Sequence, residues 1–265
     1  MNVRFKNPPI NELIIGVYFH PPLARLRSEH IGLLWSRLRT EFPTVEQRPP
    51  LGNVDEDQSI VVETGGEFMV MPRFWFVSED EVSLIQVQKS AFLLNWRRRN
   101  SEYPHFVENL KPGFDKYYGV FKEFLQHDVG VGNPEIARCE LTYANVITSS
   151  DYWQGPHDTS RVIRSFAIPN HESGHDTVPA FNCAYQYQVE PNLQLHVTIR
   201  TATAAKPPGS PVLILEFRAL GQPDGNPTPE IDAWYDRAHD AIISRFLSMT
   251  NKDVQRIHWK LEEAE

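Results

Sequence analysis

The sequence predicts an α+β protein in which antiparallel sheets carry helices packed mainly on one face. Several short runs rich in β-branched and aromatic residues alternate apolar and polar positions with a period of two. Turn-forming connections join them, and longer stretches place apolar residues at three- and four-residue spacing. Hairpin connections imply antiparallel pairing, and clean alternation implies a sheet covered on one face only.

Leu13 to Phe19 reads as the first strand and stops at His20-Pro21-Pro22. Ile31, Leu34, Trp35, Leu38 and Phe42 share one helical face, which Pro43 ends. Residues 44–67 read as a flexible loop, because Pro49-Pro50, the acidic trio Asp55, Glu56 and Asp57, and Gly65-Gly66 surround only a short apolar patch. Phe68 to Val77 and Val82 to Lys89 form a hairpin across Ser78 to Glu81, and the second run leads into Phe92 to Arg99. Phe114, Tyr117, Tyr118, Phe121, Phe124 and Leu125 then make an aromatic helical stripe, the wall of a core.

In Ile136 to Ile147 the residues Cys139, Leu141, Tyr143 and Ile147 share one face, and Arg138, Glu140 and Thr142 the other. The alternation recurs in Tyr185, Tyr187 and Val189, and in Leu193, Leu195, Val197 and Ile199, across a turn at Glu190-Pro191-Asn192. The opposite face then shows Gln186, Gln188, Gln194, His196, Thr198 and Arg200. Val212 to Leu220 supplies another strand. The last helix starts at Thr228-Pro229, with Ile231, Trp234, Tyr235, Ala238, Ile242 and Phe246 as its stripe. No linker and no clear internal repeat divides the chain, so residues 1–265 read as a single domain with two lobes, 1–130 and 131–265.

The 265 residues are 41% hydrophobic and 23% charged, the composition of a folded protein rather than a disordered one. A formal net charge of −8 argues against a sequence-independent nucleic-acid surface, which needs a dominant basic face. No run approaches a membrane span, and the start lacks the apolar stretch of a signal peptide, so the chain reads as cytoplasmic. Cys139 and Cys183 lie in strand-like segments and read as free, structural thiols.

His171-Glu172-Ser173-Gly174-His175 fits the H-E-x-x-H pattern of zinc peptidases, in which two helical histidines bind the metal and the glutamate activates water. Its surroundings, Pro169-Asn170, Gly174 and Pro179, are those of a polar loop, so His171 and His175 are metal candidates only by pattern. His157, Asp158 and His196 are further ligand types that no spacing selects. Arg97, Arg98 and Arg99 follow Trp96 and neighbour Tyr103. With Arg73 and Trp75 they could contact phosphate and bases, although a solvated or acid-paired patch is the plainer reading. The lone carboxylates Glu140, Glu216 and Asp240 read as solvated. Motifs for nucleotide phosphates, zinc ribbons and serine hydrolases are missing, and no cofactor is indicated.

Asn7-Pro8-Pro9-Ile10 with Glu12, Arg73 to Ser78, Ile85-Gln86-Val87-Gln88, Asn95-Trp96-Arg97, Tyr103-Pro104 with Phe106, and Glu140 to Asn145 together resemble a sporadically distributed bacterial family with no assigned activity. The resemblance spans the chain and implies an accessory or defence-type bacterial system. The family-like positions Arg73, Trp75, Gln86, Gln88, Asn95, Trp96, Arg97, Tyr143 and Asn145 are aromatic, amide and basic. Such a set either knits a core or lines a recognition site. The expectation is a noncatalytic binding module that recognises a protein partner through a groove or polar sheet face, with self-assembly into a homo-oligomer left open. A metal-dependent hydrolase using His171, Glu172 and His175 is the alternative, and a nucleic-acid-binding accessory protein using Arg97, Arg98 and Arg99 a further one.

Overall fold

The computed structural model describes residues 3–52, 71–167, 180–205, 208–223 and 228–262. In chain order the elements are β1 (Arg4–Phe5), β2 (Ile10–Phe19), α1 (Ser28–Leu38), β3 (Thr44–Arg48), β4 (Arg73–Val77), β5 (Ser83–Gln88), β6 (Ala91–Arg97), α2 (Lys111–Phe124), β7 (Ile136–Thr148), α3 (Thr159–Val162), β8 (Asn182–Glu190), β9 (Leu193–Thr203), β10 (Pro211–Gly221), α4 (Thr228–Met249) and β11 (Leu261–Glu262). Single π-helical turns flank α2, at Phe106–Leu110 and Leu125–Val129, and another precedes β11 at Val254–His258. The fold is α+β, with a nine-stranded antiparallel sheet ordered β3-β4-β5-β6-β2-β7-β10-β9-β8 and a two-stranded pair β1-β11.

The chain forms two compact units, one of residues Ile15–Arg138 and one of Met1–Ile14 with Cys139–Glu265. In the Ile15–Arg138 unit, Phe74, Phe76, Ile85, Val87, Phe92 and Leu94 take the buried positions of their strands. Phe92 meets α2 at ring-centroid distances of 4.9 Å to Phe121, 5.5 Å to Tyr118 and 6.1 Å to Phe114. Aromatic pairs of this kind add about 0.5–1.5 kcal/mol each beyond the area they bury. In the other unit, Phe217 of β10 meets Phe246 of α4 at 5.9 Å. Phe5 of β1 and Trp259 complete the cluster, at 5.8 Å and 5.2 Å from Phe246.

The two units share one order of elements, although the sequence shows no internal repeat. The run from β2 to α2 and the run from β7 to α4 each start with a strand, pass through a helix (α1 or α3), follow an antiparallel meander and end in a long helix. The last meander strand, β6 or β10, returns beside the first. Sequence comparison misses this because α3 has only 4 residues against 11 in α1, and one meander has four strands and the other three.

Two expectations are corrected. Thr44–Arg48 is not loop but strand β3, paired with β4 from Thr44↔Val77 to Arg48↔Arg73; the rest of the 44–67 reading, beyond Gly52, lies outside the described residues. Four of its five residues are exposed and Glu46 is half-buried, so the segment lacks the apolar pattern that marks a strand. The Tyr185 and Val189 face of β8 is not buried: these side chains are 44% and 40% exposed, because β8 is the last strand of its sheet. Cys139 and Cys183 are free thiols, the first buried and the second half-buried. Among the described residues no helix is long and apolar enough to cross a membrane.

Gly16 in β2 marks a close backbone approach. A Cβ there would run into Leu93 Cδ2 and lie 2.6 Å from the Phe92 carbonyl oxygen. Gly16→Val is expected to lower stability by about 1–3 kcal/mol, as overpacking of a filled core does. Chemical denaturation would show it as a shifted midpoint at an unchanged m-value.

Candidate functional site

Alternation along β3 to β6 sends one set of side chains toward the helices and the other set to the opposite face. Register places Glu46 opposite Trp75, Trp75 opposite Gln86, Arg48 opposite Arg73, and Leu84 opposite Asn95. Arg73, Trp75, Gln86 and Asn95 of the expected site therefore converge on one face. Gln86, Gln88 and Asn95 are at most 5% exposed, so their polar atoms must find partners within the protein.

The network that results has a single sense. Arg73 Nη1 and Trp75 Nε1 both donate to Gln86 Oε1, at 2.8 Å and 3.1 Å. Guanidinium and indole groups can only donate, which forces Gln86 to present its oxygen to them and its amide nitrogen to Asn95. Gln86 Nε2 accordingly donates to Asn95 Oδ1 at 2.7 Å. Gln88 holds the end of the β3 connection instead: Leu51 N donates to its Oε1 at 2.9 Å, and its Nε2 donates to Ser90 Oγ at 2.6 Å.

Two guanidinium groups stand over the Trp75 ring, with Arg48 Cζ at 4.6 Å and Arg73 Cζ at 5.4 Å from its centroid. Arg48 is paired with Glu46. Arg73 has no carboxylate partner among the described residues, and its Nε is buried without an acceptor. Burial holds the Arg73 pKa below the ordinary arginine value, and the neighbouring Arg48 charge pushes it the same way. A half-buried cation with an unused donor is an arrangement that an incoming anion would complete.

The other expected residues lie elsewhere. Trp96 is buried on the helix-side face, edge-on to Tyr103 at 6.2 Å. Arg97 Nε donates to the Glu81 carbonyl at 3.0 Å, and Arg99 pairs with the Glu81 carboxylate at 3.4 Å. In the second unit Asn145 Nδ2 donates to the Leu215 carbonyl at 2.9 Å, while Tyr143 Oη and His239 Nδ1 share a 2.9 Å hydrogen bond. Burial lowers the His239 pKa to about 4, despite the opposing charges of Asp240 and Asp236.

A charged cluster in that unit is legible only from the fold. Glu140, 4% exposed, accepts from Arg218 Nη2 at 2.7 Å and Thr142 Oγ1 at 2.9 Å. Glu216 and Arg200 share this face, and burial raises the Glu216 pKa. The reading of Glu140 as solvated is thus corrected, whereas Asp240 is exposed as expected. The partner of Glu140 lies 78 positions away, a separation that local pattern does not span. The only sequence signal was that Glu140 and Thr142 share a strand face.

His171, Glu172 and His175 lie outside the described residues. Asp158 is taken up by the Gln154 backbone N–H at 3.0 Å and by Arg161 at 3.3 Å, and His196 stands in the polar row of β9 opposite Arg218. Among the described residues no group of three or more His, Cys, Asp or Glu side chains could hold a metal ion. No protein-family model, curated protein or solved structure matches the chain.

Two stability tests separate these groups. Glu140→Gln is expected to cost about 2–3 kcal/mol in urea unfolding, because it leaves the Arg218 charge without its carboxylate; Glu216→Gln, which removes a charge that burial already disfavours, should cost little or nothing at neutral pH. His239 has a folded pKa of about 4 against an ordinary 6.5, so the unfolded chain binds the proton first as pH falls. Stability should therefore decline between those two values, by up to about 3 kcal/mol, and level off below. Unfolding curves across that window should show this decline in the wild type and a flatter profile in His239→Gln.

Proposed function

We propose that the protein is a noncatalytic binding module, and that it recognises a protein partner through the polar sheet face of the Ile15–Arg138 unit. Arg73 receives a carboxylate of that partner, and Trp75 supplies the aromatic surface beside it. The observation that supports this reading is the state of Arg73: fixed through Nη1 by Gln86, set beside Trp75, half-buried, and lacking a carboxylate among the described residues.

A planar guanidinium fork suits a carboxylate in two-point contact, and its fixation by a neutral amide lowers the ordering cost of binding without neutralising the charge. Trp and Arg are also the side chains that most often dominate the energetics of protein interfaces. The nucleic-acid alternative has less support, since Arg97 and Arg99 are both engaged by Glu81 and the chain as a whole is acidic. The hydrolase alternative draws no support from the described residues.

The test starts with native mass spectrometry of the protein isolated from its own host, followed by affinity measurement on the partner recovered. Arg73→Met is expected to weaken that partner's binding by roughly 10- to 100-fold, the range of a central interface residue, and Arg98→Ala to leave it unchanged. A partner bound equally well by Arg73→Met would overturn the assignment of the face. Stoichiometric zinc with hydrolytic turnover and no partner would overturn the binding-module reading itself.

A further inference from the structure

We infer that β8 is the docking edge for a second copy of this chain, the two β8 strands pairing antiparallel about a two-fold axis. β8 is a nine-residue strand at the end of the sheet order and, among the described residues, pairs only with β9. Its outer row of backbone N–H and C=O groups is the kind of edge that templates another strand.

Proteins ordinarily blunt such edges with short strands, lysines, prolines or inward charges. The other end of the sheet does so: β3 has five residues and carries Glu46 and Arg48. From Asn182 to Val189, β8 has no charged residue, no proline and no glycine. Its one irregularity is a register shift at the very end, between Gln188 and Glu190. Tyr185 and Val189 meanwhile remain 44% and 40% exposed.

The occupant follows from the pattern. Antiparallel pairing centred on Gln186 sets Tyr185 of one copy opposite Tyr187 of the other, and Ala184 opposite Gln188, so aromatic meets aromatic on one face and amide meets small or amide side chains on the other. Such aromatic cross-strand pairs are favourable, and no like charges are placed opposite one another. That matters in a chain of net charge −8, whose copies repel one another on average, so that an uncharged strand is a favourable place for them to meet. A strongly basic peptide would find no countercharge between Asn182 and Val189, and an acidic one would meet Arg245, which already lies over the Tyr187 ring at 3.9 Å. Two-fold pairing also closes on itself, because each copy uses up the other's free edge.

Sedimentation velocity of the full chain over a concentration series is the experiment. The wild type should show a concentration-dependent dimer. Gln186→Lys, which places two ammonium groups opposite each other at the axis, should be monomeric with unchanged far-UV circular dichroism. Cys183→Ser with Gln186→Cys should form a disulfide-linked dimer under mild oxidation, which tests the register even if the lysine variant folds poorly. A wild type that stays monomeric throughout, a dimer that survives Gln186→Lys in folded protein, or no cross-link in the cysteine variant would each overturn the inference.

Discussion

The long helices of each unit cover one face of its strands, and the period of two then decides where every other side chain goes. Phe92 fixes the arrangement in the Ile15–Arg138 unit: its ring stacks on Phe121, so its neighbours Leu93 and Ala91 must point to the opposite face with Asn95, Gln86 and Trp75. The same rule in the other unit sets Phe217 against α4 and sends Glu216 and Arg218 the other way. A slip of one residue in any of these strands would bury the arginines among phenylalanines. Register, polar network and candidate site are thus consequences of the aromatic packing on the helix side.

This explains why the fold was largely legible and the site only partly so. Alternation is a local signal, and it located the β5, β6, β7, β9 and β10 runs and the stripes of α1, α2 and α4. It failed at the two edges, where the exposed residues of β3 carry no apolar pattern and β8 keeps an apolar pattern without the burial it ordinarily reports. Arg73, Trp75, Gln86 and Asn95 were named from the sequence as positions of the resemblance, not from the alternation of their strands. What joins them was hidden, since it depends on the pairings Trp75↔Gln86 and Leu84↔Asn95. Glu140 with Arg218 was missed for the same reason at greater distance.

Comparing the two sheet arginines shows why they carry different weight. Arg218 meets the carboxylate of Glu140, itself held by Thr142, and so has the compensation a desolvated charge requires. Arg73 meets the oxygen of an amide, which orients the guanidinium but leaves its charge in place. Glu46, the nearest acid in the register, is turned to Arg48. The ion pair compensates the charge of the first arginine, although the Nε of each arginine is buried without a hydrogen-bond partner. The second is positioned at some cost in desolvation and meets no carboxylate among the described residues, which is why the proposed binding role rests on it.

The β8 edge poses the same question in backbone form. An apolar edge strand that were merely tolerated would be expected to fray, yet α4 braces this one. Arg245 Cζ stands 3.9 Å over the Tyr187 ring, and Arg237 pairs with Glu190 at 2.9 Å where the strand ends. Both cations come from α4 and neither lies on the strand, so β8 is held in extended form while Asn182 to Val189 stay uncharged. A strand ordered in advance gives up less entropy when it pairs, which shifts the balance from occasional sticking toward a defined interface.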